Sequence, residues 1–255
     1  MFFGFLWIAA MLIAMNDYAV IVSSATWYFS RKDVPDADGI PGDSDVWKGF
    51  YWTFRYNFGS LAFGSFILTL VWMVKLIFEY VGEKVKEASG GNKCVDCMLC
   101  CIRCCLDCFD RFIRFLNMNA YIYMAISGES FCTSALHSFL LILKNAAKFG
   151  FVNGIAAVFM FLAKFTIAIL TTVCCWGLLK VWPDSDGNQG VFLPSLFVFI
   201  FAYMIGTTFI SVFDTSSNCV LQCYLKDLDI AKQNGLDPTH VPETLSKFLK
   251  NHTEG

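Results

Sequence analysis

Charged residues are scarce in this sequence, and histidine and proline are scarcer still. Asp, Glu, Lys and Arg make up 16% of the 255 residues, and there are three histidines and six prolines. The net charge of -2 leaves no basic excess to neutralise phosphates, which argues against nucleic-acid binding. We find no nucleotide-binding loop, no metal-binding His-Glu pattern and no nucleophile elbow. The sequence therefore predicts no enzyme, no catalytic residue, no metal site and no cofactor.

Apolar residues are abundant and stand in long blocks. They make up 56% of the chain, against about 45–50% in soluble domains. Four segments reach the roughly 20 residues that a membrane-spanning helix needs: 2–29, 58–78, 149–179 and 191–213. The first lacks a basic start and a small-residue cleavage site, so we expect a retained helix rather than a signal peptide. The pattern predicts an all-α membrane protein with about four transmembrane helices.

Basic residues are divided unevenly between the connecting segments. Thirteen of the 19 Lys and Arg lie between residues 75 and 148 or beyond 218. Five lie in or near the other two loops, 30–48 and 181–190: Arg31, Lys32, Lys48, Arg55 and Lys180. By the positive-inside rule, both termini and segment 79–148 are expected in the cytosol. We therefore predict a membrane domain over 1–217 and a cytosolic tail over 218–255, with a tail helix that starts at Pro242.

Seven of the twelve cysteines lie between Cys94 and Cys108. On a helix they project within an arc of about 140°. Charged residues occupy another face, which predicts an amphipathic helix at the membrane interface. The charged face comprises Asp96, Arg103, Asp107, Asp110 and Arg114.

Three interpretations of these cysteines remain open: small packing residues, S-palmitoylation at a membrane surface, and metal or redox chemistry. One zinc site is disfavoured because Cys94 and Cys104 lie about 15 Å apart on a straight helix. Disulfides are disfavoured in the reducing cytosol. The lipidation candidates are Cys100, Cys101, Cys104, Cys105, Cys219 and Cys223.

Polar and small residues follow the cysteines, between strongly apolar runs. We predict a helix over 130–148 that is too short and too polar to span a membrane alone. Segment 119–128 is expected to be non-helical. It is either a buried, re-entrant piece or a cytosolic elbow against helix ends, since irregular backbone at membrane depth needs protein or water around it.

Four blocks carry a family resemblance: GSLAFGSFIL at 59–68, CCIRCCLDCFDRFIRFLNMNAY at 100–121, NMNAYIYMAISGESFCTSA at 117–135, and CYLKDLD at 223–229. In type and order they resemble the choline transporter-like family of eukaryotic membrane proteins. The resemblance extends from about Phe2 to Lys250 and corresponds to the carboxyl half of family members, which are usually more than twice as long.

The resemblance implies a role in the transmembrane transport of choline or a related organic cation. It implies the plasma membrane, with an internal membrane such as the mitochondrial one as the alternative. Four helices are few for alternating access, so we expect a homo-oligomer or a second membrane subunit. The alternative function is a structural or accessory subunit of a larger membrane complex, without transport activity.

Choline is a quaternary ammonium, which aromatic faces bind without hydrogen bonds. Ionisable residues inside spans also suggest function, and an Asp17–Lys164 pair is one hypothesis. The candidate substrate-binding residues are Trp52, Tyr56, Tyr121, Tyr123, Asp17 and Lys164.

The sequence lacks charge at two places where relatives carry it. Leu136 and His137 stand where many relatives have an Arg-Asp pair, and Asn218 and Cys219 stand where they have an aspartate followed by threonine. If those charges guide the cation, this chain transports weakly or not at all.

Overall fold

The computed structural model describes residues 1–30, 46–88, 90, 93–181 and 192–234. Within them the chain forms helices and no strand. Four of the helices are long and apolar enough to cross a membrane, which confirms the predicted all-α class and span count. The helices are α1 (Phe2–Phe29), α2 (Val46–Arg55), α3 (Phe58–Ala88), α4 (Lys93–Ser127), α5 (Phe131–Lys144), α6 (Ala146–Val181) and α7 (Phe192–Asn234).

Two membrane helices are longer than the apolar runs that predict them. Helix α3 continues past residue 78 to Ala88, and α7 continues past residue 213 to Asn234, through the predicted domain boundary at 217. Segment 214–234 contains neither glycine nor proline to end the helix. The predicted tail helix from Pro242 lies outside the described residues.

Helix α2 was not expected. The sequence analysis assigned residues 46–48 to a polar loop, whereas the structure places them in the first turn of this helix. Helix α2 packs against α1. The Thr53 side chain is fully buried, and its hydroxyl donates to the Gly49 carbonyl at 2.7 Å.

The described residues fall into two compact units. Unit 1 contains the described residues of 1–144 together with 222–234, and unit 2 contains those of 145–221. In unit 1, α1 packs against α2, α3 and α4, and α4 packs against α5. Its core includes the fully buried side chains of Tyr18, Ile21, Leu61 and Ile122. In unit 2, the Phe165 ring of α6 lies 5.5 Å from the Tyr203 ring of α7.

Helices α4 and α5 form a sharply bent hairpin. Their axes turn by 102° across the break that follows Ser127. Gly128 has a φ of 71°, a conformation that glycine adopts without steric cost, and its N–H donates to the Met124 carbonyl at 2.9 Å. Ser130 and Thr133 then share a hydrogen bond at the start of α5.

The hairpin corrects two sequence expectations. Segment 119–127 is helical, and only residues 128–130 interrupt the helices. The expected burial is present, because Asn119, Tyr121 and Tyr123 are all buried. The expected helix over 130–148 is divided between α5, which ends at Lys144, and α6, which begins at Ala146. The hairpin has the length and composition of a broken span or of a re-entrant segment.

The charged face predicted for α4 contacts α3. Lys75 of α3 binds Asp107 at 2.7 Å and Asp110 at 3.2 Å. Further along, Arg103 binds Glu79 at 2.8 Å and Lys86 binds Asp96 at 3.4 Å. These ion pairs provide partners for the charged residues at the carboxyl-terminal end of α3. They also determine which face of α4 points away from α3.

Replacing Lys75 by methionine should weaken the α3–α4 contact. Asp110 is only 9% exposed and would keep Arg114 alone as a partner. We expect a loss of about 1–2 kcal/mol in the free energy of unfolding, between the values for exposed and buried pairs. Lys84→Met is the matched control, because the exposed Glu87 is the one partner of Lys84 among the described residues. Thermal unfolding in detergent, followed by size-exclusion fluorescence, gives the melting temperature of each variant. Equal melting temperatures would show that Lys75 does not stabilise the α3–α4 contact.

Candidate functional site

Side chains from the family blocks converge in unit 1. The Asn117 amide of α4 donates to the Gly64 carbonyl of α3 at 2.9 Å. The Gln222 amide of α7 donates to the Asn119 side-chain oxygen. Asn117 and Asn119 are two positions apart and therefore point to different sides of α4. The block at 117–135 thus joins the block at 59–68 on one side and the end of α7 on the other.

The next turn of α4 repeats this arrangement, with one side chain that contacts α3 and another that contacts α7. Tyr121, four residues after Asn117, faces Gly64. Tyr123, four residues after Asn119, accepts a hydrogen bond from Lys226 at 2.8 Å. Lys144 of α5 also pairs with Asp229 of α7. Residues 222, 226 and 229 share one face of α7, which lies along the hairpin.

Tyr121 lies in a closely packed aromatic cluster. A Cβ atom added to Gly64 would lie 2.8 Å from the Phe131 ring and nearer still to the Tyr121 hydroxyl. The Tyr121 and Phe131 ring centroids are 5.8 Å apart. The Tyr121 hydroxyl is buried without a hydrogen-bond partner in the described part of the chain. Buried tyrosine hydroxyls usually find a partner, so this one is an exception within the described residues.

Asp17 supplies a negative charge near this hydroxyl. It is half-buried on α1, inside a membrane span, and its carboxylate interacts electrostatically with Tyr121. No cation or hydrogen-bond donor pairs with it among the described residues. A carboxylate beside aromatic rings can bind an organic cation through charge and cation–π attraction. The structure therefore brings together two of the six candidates, Asp17 and Tyr121.

Tyr123 belongs to a different polar group. The Lys226 ammonium lies 5.0 Å from the centroid of its ring and hydrogen-bonds its hydroxyl. On the other side, the Tyr123 ring contacts His137, which is 2.8 Å from a Glu129 carboxylate oxygen. A substrate cation would have to displace Lys226 to reach this ring.

Trp52 and Tyr56 lie on and just after α2, where they are 38% and 67% exposed. The guanidinium of Arg55 lies 5.6 Å from the Tyr56 ring centroid. Exposed aromatic residues of this kind are also typical of the interfacial belts of membrane proteins. Their contact with substrate stays a prediction.

Lys164 lies on α6 in unit 2 and is half-buried. No carboxylate pairs with it among the described residues. Asp17 belongs to unit 1, so the Asp17–Lys164 pair stays a prediction.

The sequence analysis missed Gly64, Asn117, Asn119 and Gln222. A usable signal was present for the asparagines, because each stands four residues before a tyrosine and such pairs share a helix face. Gln222 gave no such signal. Its importance depends on the pairing of α7 with α4, 103 residues away.

Replacing Gln222 by leucine should destabilise unit 1. Gln222 is fully buried, and its removal would leave the Asn119 oxygen without its donor. We expect a loss of about 1–3 kcal/mol, the usual cost of an unsatisfied buried polar group. Gln233→Leu is the control, because Gln233 is exposed and, within the part of the chain that the structure describes, bonds only Asp229 on its own helix. Thermal unfolding of the purified variants measures both, and a stable Gln222→Leu protein would show that the link is dispensable.

The sequence is similar to that of known proteins over most of its length. A family model described as "Plasma-membrane choline transporter" matches residues 1–229, which include all four blocks. Choline transporter-like protein 2 of Xenopus laevis is 33% identical over 99% of this chain and 35% of its own length. The proteins of that name from Dictyostelium discoideum and Homo sapiens are 31% and 30% identical, each over 97% of this chain and over 38% and 35% of their own lengths.

The chain spans about a third of the length of these curated relatives. Together with the four long apolar helices, the matches identify a multi-pass integral membrane protein from a family of transporters rather than of enzymes. The chain belongs to the plasma-membrane choline transporter family.

Proposed function

We propose that this chain contributes to the transmembrane transport of choline or a related organic cation. The observation that supports this most is the half-buried Asp17 carboxylate, which interacts electrostatically with Tyr121 and has no ion-pair or hydrogen-bond partner among the described residues. A charge inside a membrane helix is costly unless it has a partner, and a bound organic cation would be that partner.

The two groups suit the two ends of choline. The quaternary ammonium cannot donate a hydrogen bond, so its binding depends on the Asp17 charge and on aromatic faces. Each aromatic face contributes about 0.5–2 kcal/mol of binding free energy. The hydroxyl end of choline can form the hydrogen bond that the Tyr121 hydroxyl lacks within the described residues. We therefore expect choline to bind more tightly than tetramethylammonium, which has the charge but no hydroxyl.

Transport needs more than a binding site. We infer that a second membrane subunit or a second copy of the chain completes the pathway, because alternating access usually moves one half of a transporter against another. The plasma membrane is the proposed location, and an internal membrane is the alternative.

A role as an accessory subunit without transport is the second candidate. It is favoured by two rings that the chain's own cations already approach, Tyr123 by Lys226 and Tyr56 by Arg55. It is also favoured by the missing charges at Leu136 and His137.

Uptake of radiolabelled choline into proteoliposomes that contain the purified chain distinguishes the two candidates. The transport proposal predicts uptake above that of empty liposomes, with inhibition by excess unlabelled choline. A well-folded preparation that neither takes up nor binds choline would contradict transport by this chain. That result would favour the accessory role.

A further inference from the structure

The cysteines of α4 are exposed along the length of the helix. We call Cys94, Cys97, Cys100, Cys101, Cys104, Cys105 and Cys108 the cysteine stripe, and the structure leaves each of them exposed. Cys219 and Cys223, the other two lipidation candidates, are completely buried. The stripe thus lies outside the core of the described residues, whereas the two α7 cysteines lie inside it, and modification of Cys219 and Cys223 stays a prediction.

Ion pairs set the rotation of α4. Its charged residues bind α3 through Lys75, Glu79 and Lys86, so that face is occupied. At about 100° per residue, Cys101, Cys105 and Cys108 lie within about 50° of the direction opposite to this face. Cys100 is closer to the charged face, beside Arg103 and Glu79.

The outward side of α4 is also apolar. Met98, Phe109 and Phe112 lie in the same sector as the outward cysteines, and they are 67%, 50% and 45% exposed. The ion pairs run antiparallel along α3, from Lys75–Asp110 to Lys86–Asp96, so the part of α4 around Asp110 lies at the end of the apolar run of α3. This arrangement would bring the outward thiols nearest Asp110, those of Cys105 and Cys108, to the boundary between lipid and water.

We propose that the cysteine stripe is a site of S-acylation, with a long-chain fatty acid in thioester linkage to one or more of Cys101, Cys105 and Cys108. The reaction is a transfer without oxidation or reduction. The cysteine sulfur attacks the thioester carbonyl of a fatty acyl-coenzyme A, the bond to the coenzyme A sulfur breaks, and coenzyme A leaves as a thiol with the proton of the cysteine. A membrane acyltransferase is the partner that this chemistry requires.

Two alternatives for the stripe have less support. A metal site needs ligands that converge, and no three His, Cys, Asp or Glu residues are placed to hold a metal within the described ranges. No disulfide links the cysteines of the described helices. The positive-inside pattern predicts that α4 is cytosolic, the side on which acyl-coenzyme A is available.

Acylation would anchor the helix that positions Tyr121. The acyl chain would enter the membrane beside Phe112, five residues before Asn117 on the same continuous helix. The contacts of Tyr121 with Gly64 and Phe131 do not involve the stripe. A failure of the acylation proposal would therefore leave the proposed function intact.

Acyl-PEG exchange on the chain expressed in eukaryotic cells tests the proposal. Free thiols are blocked with N-ethylmaleimide, thioesters are cleaved with neutral hydroxylamine, and the released thiols are labelled with maleimide-PEG, which adds one mass step per acylated cysteine. We expect at least one hydroxylamine-dependent step. It should disappear in a triple variant, Cys101→Ser with Cys105→Ser and Cys108→Ser, and persist in the Cys174→Ser, Cys175→Ser control.

Three results would overturn the proposal: no hydroxylamine-dependent step in the wild-type chain, a step that the triple variant retains, or acylation mapped only to other cysteines. Mass spectrometry of the wild-type tryptic peptides 94–103 and 104–111 locates the acyl group directly. This mapping decides the question even if the triple variant fails to accumulate.

Discussion

Replacing Asp17 by asparagine is expected to reduce choline affinity at least tenfold, which corresponds to about 1.4 kcal/mol or more. The amide keeps the size of the side chain but removes the negative charge that interacts with Tyr121. Because the carboxylate has no partner among the described residues, the neutral variant should fold as well as the wild type or better. Equilibrium binding of radiolabelled choline to the purified proteins measures the effect.

Asp214→Asn is the matched control. Asp214 is also an aspartate on a long membrane helix, α7, but it is exposed and belongs to unit 2. We expect this variant to bind choline as the wild type does. Equal losses in both variants would indicate a general effect of charge rather than a site at Asp17.

Replacing Gly64 by valine is expected to prevent α3 and α4 from packing. Even the Cβ atom would lie 2.8 Å from the Phe131 ring and would collide with the Tyr121 hydroxyl, and both rings are buried. Overpacking of this kind costs about 1–3 kcal/mol or more. The hydrogen bond from Asn117 to the Gly64 carbonyl would be strained as well. We expect a large fall in the yield of monodisperse protein.

Gly59→Val on the same helix is the control, because no neighbouring atom lies within 4 Å of a Cβ at that position. Both substitutions replace a glycine of α3 by the same residue, and a difference well above the helix-propensity cost of a few tenths to about 1 kcal/mol reports packing. Size-exclusion profiles of fluorescent fusions measure the difference. Similar profiles would show that Tyr121 and Phe131 can move aside.

The membrane helices follow from the sequence because their signal is local. An apolar run predicts α1 with the observed bounds, Phe2–Phe29. The extensions of α3 and α7 could not be predicted in this way, because their polar residues find partners on other helices. Glu79 meets Arg103, and Lys226 meets Tyr123.

The sequence indicated which residue types belong to the candidate site, but it did not indicate which of the candidate residues interact with one another. Asp17 and Tyr121 were candidates for separate reasons, one as a charge within a span and one as an aromatic residue of a family block. Nothing in the periodicity of α1 or α4 shows that they interact. The role of Gly64 was hidden for the same reason, since its neighbour Tyr121 comes from another helix.

Photoaffinity labelling tests the central claim most directly, that an organic cation binds beside Asp17 and Tyr121. The probe is a quaternary ammonium that carries a diazirine, applied to the purified chain with and without excess choline. We predict choline-sensitive labelling in α1 near Asp17 and in the tryptic peptide 115–144, which contains Tyr121. Labelling confined to Trp52 and Tyr56, or labelling that choline does not displace, would contradict it.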